Sequence, residues 1–301
     1  MLNNKLIILL LIHFLNGYSI FNHINDFGFS SSSYITSNSS KNQYNFSNPA
    51  CNIDNVDYFY SSFGNYFNGV LKSQQLLFSI ETDFLNKINF GIIRSSIDNI
   101  PNTQNAWVDG DGNGYPNYDE IDYSKITTFN HSNLGLIISK SFDKRNFQLG
   151  INSKFSHSNL GGENSISHSF DFGFYKSIKK LNVGLVIQDF LRYSYWTTGV
   201  IEKGSPSIIL GSKILFKNIN INFDLDAILL EYSLGIEYNY NSLFYIQLNH
   251  TTLKKIYLAF LINFERFNIG YSLIIPQYNQ LGLTHTISLG FSKDIFNYKH
   301  K

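Results

Sequence analysis

Residues 146–155 read NFQLGINSKF, and their side chains alternate in character. Phe147, Leu149, Ile151 and Phe155 fall on one face; Gln148, Gly150, Asn152 and Lys154 fall on the other. A period of two with one apolar face describes a β-strand lying between an apolar medium and a polar one. The pattern recurs outward from there. ISHSFDFGF (166–174) sets Ile166, Phe170, Phe172 and Phe174 against Ser167, Ser169, Asp171 and Gly173. INFDLDAIL (221–229) sets Ile221, Phe223, Leu225 and Ala227 against Asn222, Asp224 and Asp226.

Two architectures share this signature. A soluble sandwich packs its apolar faces together, whereas a membrane barrel turns them towards lipid and keeps the polar faces inside. Strand-like segments fall at 57–64, 73–81, 86–95, 131–142, 145–156, 166–177, 180–190, 205–216, 219–229, 231–240, 242–250, 254–264, 266–275 and 284–292. Most are near the about 9–11 residues of a tilted membrane strand, well above the about 5–6 usual in soluble sheets. The connections sort by parity. Those after the third, fifth, seventh and thirteenth segments are long (96–130, 157–165, 191–204 and 276–283), while Asp143-Lys144, Lys217-Asn218 and Glu265 mark tight turns on the opposite rim. Long loops on one rim and short turns on the other are the outer-membrane asymmetry, with the long loops extracellular. Pro206 and Pro276 stand at strand ends, and Pro49, Pro101 and Pro116 lie outside strands, so no ladder loses a donor. The expected fold is all-β: a transmembrane, antiparallel, up-and-down β-barrel of about 14 strands, spanning residues 57–292.

The ends and the composition fit that setting. Residues 1–19 have the form of a secretory signal, with Lys5 before the apolar run Leu6–Leu15 and small Gly17 and Ser19 at a cleavage site near Ser19. The run is shorter than the about 20 apolar residues a spanning helix needs. Residues 20–56, rich in Ser and Asn, suit an inward plug or a periplasmic segment, and 293–301 form a tail. The single cysteine, Cys51, excludes an intramolecular disulfide and lies too far from the signal for a lipoprotein. With 23 basic and 22 acidic residues the chain offers no nucleic-acid surface.

Residues 96–130 contain DGDGNGYPNYDEID (109–122), an acidic tract in the longest connection. Asp109-x-Asp111-x-Asn113-Gly114-x5-Glu120 follows the calcium-loop pattern. Asp109, Asp111 and Asn113 would bring side-chain oxygens to one centre around the turn at Gly114. Tyr115 would add its carbonyl, Asn117 a direct or water-bridged contact, and Glu120 a bidentate carboxylate. Asp and Gly are also ordinary turn formers, so a solvated loop is the plain alternative. No hydrolase, metalloprotease or nucleotide-binding motif accompanies it, and no enzyme is expected. Asp171, Asp224, Asp226 and Glu237 should face the lumen with Lys154 and Lys213. His168 and His285 fall on the lipid-facing parity, where only the rims tolerate them. Trp107 and Trp196 fall in outer loops, as partner contacts or belt anchors.

With SNPACNID (47–54), NIPNTQNAWVDGDGNG (99–114), GINSKF (150–155), DFGFYKSIKKLNVGLVIQDF (171–190), YWTTGVIEKGSPSIILG (195–211) and LTHTISLGF (283–291), the chain resembles the PorV/PorQ family of outer-membrane proteins, relatives of the FadL-like barrels. The Asn48-Pro49-Ala50 step is shared with FadL-like proteins, where it leads into the barrel. The resemblance implies a non-enzymatic partner or cargo shuttle of type IX secretion, in contact with translocon components and secreted cargo domains. The alternative is FadL-like passive passage of hydrophobic small molecules. An apolar pocket at the mouth with a gap in the wall would favour passage, and a blocked lumen would favour the partner role.

Overall fold

A computed structural model of the chain describes Phe21 and residues 46–52, 58–82, 86–103, 105–115, 118–241, 243–252, 255–264 and 266–292. The expected signal segment and the tail 293–301 lie outside them. The strands are β1 (Tyr58–Tyr66), β2 (Leu71–Thr82), β3 (Asn86–Asn102), β4 (Thr127–Lys144), β5 (Phe147–Leu160), β6 (Glu163–Ile178), β7 (Leu181–Trp196), β8 (Ile201–Lys203), β9 (Ser207–Leu215), β10 (Ile219–Asp226), β11 (Glu231–Tyr240), β12 (Phe244–Thr251), β13 (Ile256–Asn263), β14 (Phe267–Ile275) and β15 (Thr284–Ser292). Each pairs antiparallel with its sequence neighbour, save that β7 pairs with both β8 and β9; β1 pairs with β15, and so the sheet closes. Fourteen strands form the wall; β8 is a three-residue addition hairpinned onto β7.

The wall is inside out relative to a soluble protein. Along β15, Thr284, Thr286, Ser288, Gly290 and Ser292 are buried while Ile287, Leu289 and Phe291 are exposed. On β12, Gln247 is 0% exposed and its neighbour Leu248 47%. Apolar side chains outward and amides and hydroxyls inward are stable only with hydrocarbon outside, so this is an outer-membrane type of barrel.

Strands β3 to β7 differ from the sequence expectation: they run 14 to 18 residues, while β9 to β15 run 8 to 10. The stretch 157–165, read as a loop, is ladder up to a Gly161-Gly162 turn with φ of 59° and 101°. Likewise the long connection shrinks from 96–130 to 103–126, which puts Pro101, expected outside the strands, at the outer end of β3 opposite Thr128. Beyond the hydrocarbon a strand needs no apolar face, so the Ser, Asn and His of these tips hid the ladder from a periodicity argument. One side of the barrel therefore stands taller than the other on the long-loop rim.

Candidate functional site

Inside the wall, residues 46–52 lie against β4, β5 and β6 towards the short-turn rim, and the sequence makes room for them there. Gly150 and Gly173 face each other on β5 and β6. A Cβ on Gly150 would stand 2.2 Å from the Pro49 carbonyl carbon, and one on Gly173 would stand 2.2 Å from Asn48 Oδ1. The paired glycines are thus a seat for Asn48-Pro49-Ala50. Hydrogen bonds hold the segment: Ser141 Oγ donates to Pro49 O (2.6 Å), Asn152 Nδ2 to Phe46 O (2.7 Å), and Asn48 Nδ2 to Phe174 O (3.2 Å). Asn48 Oδ1 also accepts from the Ala50 N–H at 3.0 Å, which fixes the turn. Phe21 and Phe46 pack with Tyr60, Leu77, Ile93 and Ile137, and Ala50 and Cys51 pack with Tyr175.

Two buried ionic groups flank this segment. Lys154 contacts Asp171 at 2.7 Å and Asp189 at 3.0 Å, and Arg192 contacts Asp189 at 3.1 Å. Asn152 and Ser169 donate to Asp171 and Asp189 respectively, and the Asp189 N–H donates to Asp171. The Lys154 ammonium lies 5.4 Å from the Phe21 ring centre, which ties that residue to the network. On β9 to β11, Lys213 meets Glu237 at 2.7 Å, and Asn220 and Asn222 donate to the same carboxylate. Asp171, Asp224, Glu237, Lys154 and Lys213 are thus buried as the alternation predicts. Asp226 differs: it bonds Ser207 and caps the following turn by accepting from the Ile228 and Leu229 N–H groups.

Asp189 escaped the sequence reading because β7 is bulged, and Arg192 because it falls in 191–204, a loop by sequence but part of β7 up to Trp196. The register of β7 against β6 slips between His168 and Phe170 and again between Phe170 and Phe172, with φ of 53° at Asp189 and 54° at Leu191. The extra residue between Ile187 and Phe190 turns Asp189 from the lipid parity to the lumen, and the one between Phe190 and Tyr193 restores the parity. The only signal was the break in alternation at Gln188-Asp189-Phe190-Leu191. The same stretch marks a seam: β7 pairs with β9 only up to Gln188 and with β8 only from Tyr193. The Arg192 side chain passes over Gly204 there, where a Cβ would stand 2.1 Å from Arg192 Nε.

Above Phe21 a cavity of about 1010 Å³ opens at the long-loop rim. Tyr66, Leu71, Ile97, Tyr257, Ile274 and Pro276 give it apolar surface. Serines of β3, β5, β6 and β7, with Lys154 and Arg192, supply the polar part. Trp196, expected as a partner contact or belt anchor, lines this cavity instead. His168 and His285 sit in aromatic groups of the outer face. His168 stacks near Tyr193 and Tyr195, and His285 Nδ1 lies 2.8 Å from Tyr271 Oη.

In the acidic loop, the bridge between Trp107 and Ile121 closes residues 108–120. Asp109, Asp111 and Glu120 converge with carboxylate oxygens within 4.8 Å of one another, a donor set suited to a hard cation. Asn117 lies outside the described residues. Asn113 Oδ1 accepts from the Tyr115 N–H at 2.6 Å. Glu120 Oε1 accepts from Gly110 and Asp111, and Trp107 Nε1 donates to its other oxygen, so bidentate coordination would require Glu120 to give up these bonds. Nearby Asp122 is held below the ordinary carboxylate range by hydrogen bonds from Ser124 and Lys125.

No protein-family model matches the chain, and no curated protein sequence matches it. Solved structures do. The toluene transporter TodX of Pseudomonas putida shares 12% identity over 93% of this chain and 98% of its own, with a TM-score of 0.53. A TodX monoaromatic hydrocarbon channel carrying the deltaS2 mutation shares 10% over 92% and 99%, at 0.55. The Ralstonia pickettii toluene transporter TbuX shares 9% over 81% and 92%, at 0.50. At such identities the common property is the fold, which is the FadL-like barrel; nothing in these comparisons singles out PorV/PorQ.

Proposed function

We propose that this barrel is a passive path for small, largely apolar molecules across the outer membrane. The observation that carries the reading is the cavity of about 1010 Å³. It is open at the long-loop rim and lined by Phe21, which packs with Phe46 of the segment seated on Gly150 and Gly173. Such a volume lies near the upper end of the roughly 300–1,000 Å³ usual for small-molecule sites. Beside the cavity, β7 leaves β9 at Gln188 and takes up β8 from Tyr193, with Arg192 O accepting from the Gly204 N–H between them, and this seam is where the wall is most sparsely paired. A ligand would leave water for the apolar side of the cavity, driven by the hydrophobic effect. It would then continue past a displaced segment or sideways at the seam. The neighbours in fold are transporters of toluene, which supports the reading without naming the cargo here.

The role in type IX secretion, with translocon components and cargo domains as partners, rests on the sequence resemblance alone. Passage therefore takes its place as the leading reading. The test uses vesicles whose outer leaflet carries lipopolysaccharide, which resists apolar solutes. Barrel-containing vesicles should take up the dye N-phenyl-1-naphthylamine faster than empty ones. Equal rates would reject passage and return the secretion role to first place.

A further inference from the structure

The polar side of the cavity is laid out in register. Ser95 pairs with Asn133, Asn133 with Ser158, Ser158 with Ser165 and Ser165 with Trp196, so one row of hydrogen-bonding groups crosses β3 to β7. Two residues deeper, Ser156 pairs with Ser167 and Ser167 with Ser194, and the last two hydroxyls bond at 2.9 Å. With strands about 4.8 Å apart and rows about 7 Å apart, the polar field measures roughly 19 by 7 Å. Tyr257 and Ile274 belong to β13 and β14, which lie about halfway round the barrel from β5 and β6. The cavity is split into a polar wall and an apolar wall.

The charges beneath the polar wall cancel. Lys154 and Arg192 reach the cavity, yet Asp171 and Asp189 hold both at 2.7 to 3.1 Å. Two cations against two carboxylates cancel within this network, while Lys203, Lys255 and Glu202 line the cavity outside it. At the serine wall an incoming carboxylate would have to displace a protein carboxylate into a buried, unpaired state, which is strongly unfavourable. A pure hydrocarbon would cover the serine rows and leave the hydroxyls of Ser95, Ser156, Ser158 and Ser165 without partners, Ser167 and Ser194 being bonded to each other.

From these walls and pairings we infer that the cavity selects an uncharged amphiphile with its oxygen functions (hydroxyl, ester or carbonyl) along one edge. Fatty carboxylates and bare hydrocarbons are the poorer ligands. The inference rests on the passage reading and names its cargo class.

Trp196, at the end of the first row, reports binding once Trp107→Phe removes the only other indole. The full barrel in vesicles is titrated at mildly alkaline pH with three probes of equal chain length: glycerol monolaurate, laurate and dodecane. Monolaurate should bind about tenfold more tightly than either of the others, the effect of one well-made buried hydrogen bond. Ser158→Ala with Ser165→Ala should erase that preference. Asp189→Asn, which leaves Arg192 without its carboxylate, should raise laurate binding several-fold; if that variant does not fold, the serine pair still decides. Laurate or dodecane binding as well as monolaurate overturns the class and leaves passage standing. Silence of Trp196 to all three probes removes passage as well.

Discussion

A single methyl group on Gly150 should unseat residues 46–52 from the wall. The added Cβ of Gly150→Ala would lie 2.2 Å from the Pro49 carbonyl carbon and 2.4 Å from both Pro49 O and Ala50 N. These are backbone atoms, so no side-chain rotation relieves the overlap. Ordinary contact between carbons needs about 3.5 Å, so the segment must retreat by more than about 1 Å. The three bonds that hold it measure 2.6, 2.7 and 3.2 Å, and a retreat of that size breaks or badly weakens all three. At about 1 kcal/mol net for each, docking loses about 3 kcal/mol, roughly a hundredfold in the docked-to-undocked ratio.

The wall itself should be unaffected, because the Gly150–Gly173 pairing uses only backbone groups. The assay is proteinase K cleavage of residues 46–52 in reconstituted vesicles, alongside thermal unfolding of the barrel. Cleavage should accelerate by about two orders of magnitude while unfolding temperature holds. Ser141→Ala, which removes one bond of about 1 kcal/mol, should accelerate cleavage about fivefold. Wild-type protection in Gly150→Ala would show that the glycine pair does not hold the segment, and the account of its seat would fail.

The remaining expectations are narrower. Lys213→Met strands the buried Glu237 and should destabilise the barrel by about 3–5 kcal/mol, with Glu237→Gln on the same chain restoring most of it; unfolding in denaturant decides, and an additive double variant would deny the pairing. Ile236→Arg places a charge on the exposed face of β11 and should cost about 2–4 kcal/mol in lipid, since its outward side meets hydrocarbon. Calcium should slow proteolysis within 103–126 with an affinity of about 10⁻⁴–10⁻³ M, and Glu120→Ala should abolish the effect. Indifference of that loop to a chelator would leave the acidic tract a solvated turn.

The wall was legible in the sequence because lipid imposes its period on every strand. Phe147, Leu149 and Ile151 against Gln148, Gly150 and Asn152 needed no knowledge of which strand closes on which. Fourteen segments read this way became the fourteen strands of the wall, with the outer tips of β3 to β7 cut short and Ala227–Leu229 carried into a strand that ends at Asp226. Those tips carry Ser158 and Ser165, which show no apolar face because no hydrocarbon reaches them. Their pairing is set by neighbours and is invisible to alternation.

The interior was legible only where parity survives. Lys154, Asp171, Lys213 and Glu237 follow it and were placed correctly. Asp189 breaks it, because a bulge turns its side chain inward at a backbone angle that favours glycine. That one departure has a large effect on chemistry: without Asp189, Lys154 and Arg192 would give the cavity a surplus of positive charge and suit it to carboxylates. Gly150 and Gly173 posed a related difficulty, since a glycine in a strand is mute until the object approaching it is known. What the barrel admits therefore depends on a bulge and two absent side chains. Period-two reasoning reads the solvent on either side of a wall, and these three positions concern what lies within it.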